Sequence, residues 1–345
     1  MSLELLKDLC QLPGIPGREE KVRKFVIEQM ESHVDKVDVD VMGNVIGFIK
    51  GKTDKSVMIA AHMDEIGFLV RHIDDKGFLR LEASGGFDPR TLIAQRVKVH
   101  GKKELKGVLM PEIKPKHLQK GKEDKVPEVN EFFVDLGMSK EEVKKVVRVG
   151  DFVTMDRGFD KIGNSFTSKA LDDRAGVYIM LEAIKQIKNP EFDIYAVATV
   201  QEERGLRGAI ASSYLVNPDV GVALDVTIAA DIPGTPDHLA ITKLGEGTAI
   251  KISDSASISN HKLVDFLREL AEKNEVKYQM EILPRGGTDA GAMEKAQSGC
   301  PVITISLPTR YVHSVVETAN IEDLENSVKL LKLFLENVQS GDFRL

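Results

Sequence analysis

The stretch DDRAGVYIMLEAIKQIKNPEFDIYAVATVQEERGLRGAIASSYLV, residues 172–216, carries the pattern that decides the fold. Residues 172–188 read as a helix. The short apolar run FDIYAVATV (192–200) reads as a strand buried on both sides, and LRGAIASSYLV (206–216) reads as the next helix. The alternation continues downstream. Strand DVGVALDV is followed by helix NHKLVDFLRELAEKN, strand VKYQMEIL, helix DAGAMEKAQ and strand PVITISLP, and the amphipathic helix NIEDLENSVKLLKLFLENVQ closes the chain. Upstream, the first helix is expected to start near Gly17, with Val22, Phe25, Val26 and Met30 on one face. Strands NVIGFIKG (44–51) and SVMIAAHMDEIGF (56–68) follow it. Strands alternating with helices predict an α/β protein with a mixed sheet covered by helices on both faces.

Between about residues 67 and 165 the texture changes. Short strand-like pieces (FLVRHI, GFLRLEA, RVKVHG, LKGVLM, DFVTMD) are separated by Gly and Lys. One helix is expected after Ser139, where Glu142 completes a capping box. The Pro-containing, charged stretch 111–129 reads as a solvated, mobile loop. The expected organisation is a discontinuous α/β domain, 1–66 and 166–345, with a small β-rich domain, 67–165, inserted in it.

Composition narrows the function classes. A chain of 345 residues with 42% hydrophobic and 29% charged residues is of ordinary globular type. A formal net charge of -7 argues against a nucleic-acid partner. No apolar run is long enough to span a membrane. Glu4 and Asp8 interrupt the N-terminal apolar stretch, unlike a signal peptide, so a cytoplasmic location is expected. Cys10 and Cys300 are the only cysteines, which excludes a thiolate metal site. Any metal must be held by histidine and carboxylate.

Such residues collect where an α/β sheet forms its sites, beyond the carboxyl ends of strands. His62 ends VMIAAH, with Asp64 just after it. Glu202 and Glu203 end the run DIYAVATV, Asp225 ends VGVAL, and His313 follows VITISLPTRYV. Asp172 and Asp173 begin a helix. Singly, each has a structural reading: a loop histidine, a helix cap, a solvated turn. Jointly, so many carboxylates at one edge repel one another and are costly to desolvate without a cation. Nitrogen and oxygen donors suit zinc, cobalt or manganese. Five ligands exceed the three of a usual catalytic zinc and suggest two ions, bridged by one carboxylate, for which Asp172 is suited. Neighbouring strand residues point oppositely, so one of Glu202 and Glu203 can ligate while the other stays free as a base.

The motifs AAHMDEIGF, KALDDRAG, VQEERGLRGA, ALDV, GGTDAG and PTRYVHS, in this order, resemble those of the cytosolic dinuclear-metal aminopeptidases. That family includes tetrahedral (TET), deblocking and glutamyl aminopeptidases, and some relatives carry the name endoglucanase. The resemblance covers essentially the whole chain. It implies a zinc-peptidase-like α/β fold in which the inserted unit serves dimerisation. It further implies two divalent ions per subunit, zinc or cobalt or alternatively manganese. His62 and Asp225 would bind one ion, Glu203 and His313 the other, and Asp172 would bridge them. Glu202 would be general base and acid, and Asp64 would orient His62. The implied activity is hydrolysis of the N-terminal bond of short peptides with a free N-terminus, by a homo-oligomer in which dimers build a tetrahedral dodecamer.

Thr288 and Asp289 in GGTDAG are expected near the substrate. Arg204, Arg285 and Arg310 are candidate cations should the pocket prefer an acidic residue. Three other readings compete. A deacylase would keep the metal site. A glycosidase needs a carboxylate pair and makes poor use of two histidines. An inactive structural subunit would have lost ligands or the base.

Overall fold

The computed structural model of the chain describes residues 2–113, 117 and 126–345. Most of the charged stretch 111–129 lies outside these residues.

The chain opens with α1 (Glu4–Gln11) and α2 (Glu20–Met30), then β1 (Lys36–Val39), β2 (Val45–Ile49) and β3 (Ser56–His62). The helix α1 precedes the expected first helix. Leu6, Leu9 and Cys10 are its buried face. Eight residues do not hold a helix alone in water; packing against the rest of the domain does. The fully buried Arg174 donates to the carbonyls of Leu9 and Leu12, acceptors that the end of a short helix would otherwise leave open.

Six strands and one helix follow: β4 (Gly67–Ile73), β5 (Leu79–Ser84), β6 (Gln95–His100), β7 (Glu104–Pro111), β8 (Phe132–Asp135), α3 (Lys140–Val146) and β9 (Phe152–Met155). The strands close into a barrel in the order β4-β5-β8-β7-β6-β9. Its interior is apolar, with Phe68, Leu79, Val97, Leu109, Phe132 and Val153 fully buried. Ser139 and Glu142 form the expected capping box on α3.

The remaining elements are β10 (Asp160–Ile162), β11 (Ser165–Ser168), α4 (Leu171–Ile184), β12 (Asp193–Thr199), α5 (Arg207–Val216), β13 (Val220–Ile228), β14 (Thr248–Ser253), α6 (His261–Lys273), β15 (Tyr278–Ile282), α7 (Ala290–Met293), β16 (Val302–Arg310), β17 (Glu317–Asn320) and α8 (Ile321–Asn337). With β1, β2 and β3 these strands form one large mixed sheet, ordered β1-β2-β12-β3-β13-β16-β17-β11-β10, with β14 on β16 and β15 on β14. The large sheet therefore already includes residues 160–165, which the sequence reading gave to the insert. The helix expected over 289–297 is a single turn, Ala290–Met293.

The central strands β12, β3, β13 and β16 are parallel. They are covered on both faces. β3 sends Val57, Ile59 and Ala61 into the core shared with α4, and Met58 and Ala60 into the core beside α7. Their carboxyl ends open together at one edge.

The barrel carries one buried titratable ring that gives a testable pH dependence. His100 stacks on Phe152 with ring centroids 4.3 Å apart, and its Nε2 lies 2.9 Å from Thr154 Oγ1. Burial pushes its pKa down from 6.5 to about 4. Between these values the unfolded chain holds a proton that the folded chain does not. The stability tied to the neutral ring is thus present above pH 6.5 and lost as pH falls toward 4. Urea midpoints of the wild type should fall more steeply across this window than those of His100→Gln. Parallel curves would refute the assignment.

Candidate active site

Each candidate residue reaches the open edge by a local device. His62 is the last residue of β3. After β12 the backbone turns sharply: Gln201, Gly205 and Leu206 all have left-handed conformations (φ 56°, 102° and 57°), and Glu202–Arg204 forms a 3-10 turn. The two glutamates therefore leave the strand's alternation, and both line the same pocket. Asp225 lies within β13, and His313, also left-handed (φ 61°), lies beyond the end of β16.

These residues meet. His62 Nε2 is 3.0 Å from Asp172 Oδ1, and His313 Nε2 is 3.3 Å from Asp172 Oδ2. His313 Nε2 is also 3.1 Å from Glu203 Oε1. Glu202 Oε2 lies 3.9 Å from His62 Nε2. Among the described residues, three donor groups, His62/Glu202/Glu203, His62/Asp173/Asp225 and Asp172/Glu203/His313, each bring one ligand atom per residue within 4.8 Å of the others.

Around this inner set, further carboxylates hold main chain. Asp64 accepts the N–H of Glu202 at 3.0 Å and of Glu203 at 3.1 Å. The nearest partner of His62 Nδ1 is the Asp64 carbonyl, at 3.1 Å, with the Asp64 carboxylate 3.5 Å away. Asp173 accepts the N–H of His62 at 3.2 Å and of Gly176 at 2.9 Å. The second of these is the bond a helix cap makes, so the capping reading belongs to Asp173 and leaves Asp172 free. Glu317, which the sequence reading did not single out, accepts the N–H of His313 at 2.8 Å and of Asp172 at 3.1 Å.

The electrostatics follow from burial. Burial raises the carboxyl pKa of Asp225 and Glu202 well above the usual range, Asp172 adding to it for Asp225 and Asp225 for Glu202. Burial and Asp172 likewise raise Glu203, against a hydrogen bond from His313. For Asp172 burial acts in the same sense, but the bonds from His313 and His62 overcome it and hold the group below the ordinary value. Burial would lower His313, yet Asp172 and Glu203 push it up to about 12. For Asp225, Glu202 and Glu203 the anionic form is thus energetically costly, and a divalent cation would offset that cost. The donor types match such an ion.

An open pocket of about 380 Å³ adjoins the cluster. Thr288, Leu283, Arg285, Ile228 and the buried Lys251 line it together with His62 and His313. Asp289 does not line it. It is buried behind the wall and accepts a 2.6 Å bond from Thr199 Oγ1. Of the three candidate arginines, Arg285 alone lines this pocket. Arg310 is paired with Asp231 at 2.6 Å, and Arg204 is exposed on the turn. A smaller cleft lies on the barrel side, where Phe87, Thr91 and Leu92 face Asp172, Glu203 and His313.

Residues 43–330 match the family model described as M42 glutamyl aminopeptidase. The chain is 38% identical over 348 residues to the lysyl aminopeptidase of Pyrococcus furiosus, covering 99% of this chain and 98% of the relative. An aminopeptidase structure from the archaeon Desulfurococcus kamchatkensis superposes with a TM-score of 0.93 at 46% identity, covering 97% of this chain and 94% of the other. The Pyrococcus horikoshii TET1 peptidase, described as able to assemble into a tetrahedron or a large octahedral shell, superposes at 0.87 with 35% identity, covering 96% and 98%.

The barrel touches the cluster through Gly85 and Gly86. A Cβ on Gly85 (φ +94°) would stand 2.4 Å from Ile66 Cγ2 and 3.2 Å from Glu203 Oε2. Gly85→Ala is therefore expected to cost about 1–3 kcal/mol through overpacking and to reduce turnover. Gly158→Ala, with nothing within 4 Å, should do neither. Urea unfolding and peptide hydrolysis of both variants check this, and a wild-type Gly85→Ala would contradict it.

Proposed function

This chain belongs to the M42 aminopeptidase family, and we propose that it releases the N-terminal residue of short peptides at a site holding two divalent ions. The observation that carries the reading is the pose of Asp172, with one oxygen 3.0 Å from His62 Nε2 and the other 3.3 Å from His313 Nε2. A carboxylate with one oxygen toward each of two imidazoles suits a bridge between paired ions. His62 and Asp225 would hold one ion with Asp172, and Glu203 and His313 the other. Asp173 is occupied by two main-chain N–H groups and is left out of the set. The donor set accepts zinc, cobalt or manganese. Bound there, such ions would lower the pKa of water and polarise the scissile carbonyl.

The chain's own residues would do the rest. Glu202 lines the open pocket; it can also join His62 and Glu203 as a donor, but in this reading the other residues hold the ions and Glu202 is left free. It would take a proton from the attacking water and return it to the amine nitrogen as the C–N bond breaks. Asp64 would keep Glu202 in place through the turn amides. Thr288 in the pocket wall would contact the N-terminal side chain, and the buried Asp289 beside it would support that wall through Thr199. The two imidazoles among the carboxylates count against a glycosidase, which needs only a carboxylate pair.

We extend the reading to assembly. The barrel would serve dimerisation, and dimers would build a tetrahedral dodecamer, an assembly of the kind described for the Pyrococcus horikoshii relative. No helix among the described residues is long and apolar enough to cross a membrane, and a cytoplasmic enzyme is proposed.

Two measurements test the chemistry. Protein loaded with Zn2+ or Co2+ should release the first residue of short peptides with a free amine and leave their acetylated counterparts intact. Equal cleavage of both sets would reject an aminopeptidase. Glu202→Gln should lower kcat by about 10²–10⁴-fold while retaining its ions by elemental analysis. Full turnover in that variant would remove Glu202 from the mechanism.

A further inference from the structure

The candidate ligands sit on strand ends and irregular turns, where regular secondary structure fixes little. Asp172 has a non-helical conformation (φ -77°, ψ 108°) inside the first turn of α4, and His313 is left-handed (φ 61°). The N–H groups of a helix's first turn have no partner within the helix. One side chain supplies acceptors for both residues. Glu317, the first residue of β17, is 2% exposed. Its Oε1 accepts the N–H of His313 at 2.8 Å, and its Oε2 accepts the N–H of Asp172 at 3.1 Å.

We propose that Glu317 is a positioning residue of the ion site, a two-ended clamp whose carboxylate sets the separation of Asp172 and His313. The proposal rests on the divalent-ion reading given above. Asp172 Oδ2 and His313 Nε2 stand 3.3 Å apart and belong to one donor group with Glu203. Their main chains come from different parts of the sequence, one leading α4 and the other following β16. No other described side chain bonds the N–H groups of both. Glu317 is absent from the lining of the open pocket that Glu202 faces and lines the smaller barrel-side cleft with Asp172, Glu203 and His313, which places it beside the ligands. Its backbone pairs with Ser168 on β11, next to the segment that leads into Asp172. The clamp is thus anchored in the sheet and reaches both turns.

The chemistry requires a carboxylate. Both groups that Glu317 meets are donors, and a carboxylate can accept at both oxygens. A glutamine of the same length would turn its NH2 toward one of these N–H groups, donor against donor. An aspartate keeps the charge but is one methylene shorter and does not reach both.

The test uses the full-length protein with Co2+ as probe, read by calorimetric titration and by visible absorption, which reports ligand geometry. Glu317→Gln should bind Co2+ about 10–100-fold more weakly and show an altered visible band, with kcat lowered and KM near the wild-type value. A purely structural role would lower the unfolding midpoint and leave the affinity and spectrum of the folded protein unchanged. Folded Glu317→Gln with wild-type affinity and spectrum would therefore overturn the proposal. Should that variant fail to fold, Glu317→Asp decides in its place. Weakened Co2+ binding supports the clamp, and wild-type binding overturns it. Failure of the wild type itself to take up Co2+ would sink the ion reading and this inference with it, an outcome distinct from failure of the variants alone.

Discussion

The site depends on one constraint: carboxylates buried at the edge of a parallel sheet must be compensated or become costly. The chain compensates them in two ways. Asp64, Asp173 and Glu317 each take two main-chain N–H groups, so their oxygens are satisfied by backbone. The backbone they hold belongs to His62, Asp172, Gly176, Glu202, Glu203 and His313. Asp225, Glu202 and Glu203 have no such pairs of amides; burial favours protonation of these groups, as it does for Asp173 and Glu317. The outer carboxylates thus stiffen the main chain, and the inner ones remain available to a cation.

The fold brings this arrangement about through strand direction. Four neighbouring parallel strands release His62, the Glu202 turn, Asp225 and the approach to His313 at one edge. The barrel enters the chain directly after that edge, between β3 and β10. Its entry is tied to the main domain by buried charge: Glu65 pairs with Lys169 at 2.7 Å and accepts the N–H of Gly14 at 3.2 Å. Held this way, the loop containing Gly85 and Gly86 lies against Glu203 and His313. The barrel is therefore a wall of the site as well as a separate unit with its own core.

Much of this was legible in the sequence, and the exceptions have physical causes. Long apolar runs such as FDIYAVATV and VITISLP gave the central strands because burial on both faces leaves a continuous hydrophobic pattern. Short edge strands such as β1 and β10 carry little of that pattern: three of the four residues of β1 and all of β10 are exposed. The helix α1 is too short to announce itself apart from its docking. Among the site residues, His62, Asp172, Glu203, Asp225 and His313 stood out because each is a ligand type at a strand end or helix start. Glu317 did not. Nothing in VHSVVETAN marks it, and its bonds exist only once β17 returns beside the start of α4. The Gly-rich turn GGTDAG indicates proximity but not which side chain faces the opening: Thr288 lines the open pocket, and Asp289 bonds Thr199.

The two adjacent acidic pairs, Asp172-Asp173 and Glu202-Glu203, then share a common logic. On a regular strand, neighbours would point to opposite faces, and only one could reach the edge. In both places the backbone departs from regular structure, by non-helical dihedrals at Asp172 and Asp173 and by left-handed residues around the Glu202 turn. The departure lets neighbouring carboxylates take different partners within one small volume. Asp172 faces both imidazoles while Asp173 holds the His62 amide and the helix start. Glu203 meets His313 at 3.1 Å while Glu202 lines the open pocket, 3.9 Å from His62 Nε2. Irregular backbone is costly unless its surroundings determine it, and here the bonds from Asp64, Asp173 and Glu317 do so. The same carboxylates that solve the charge problem hold the geometry that divides each acidic pair into two roles.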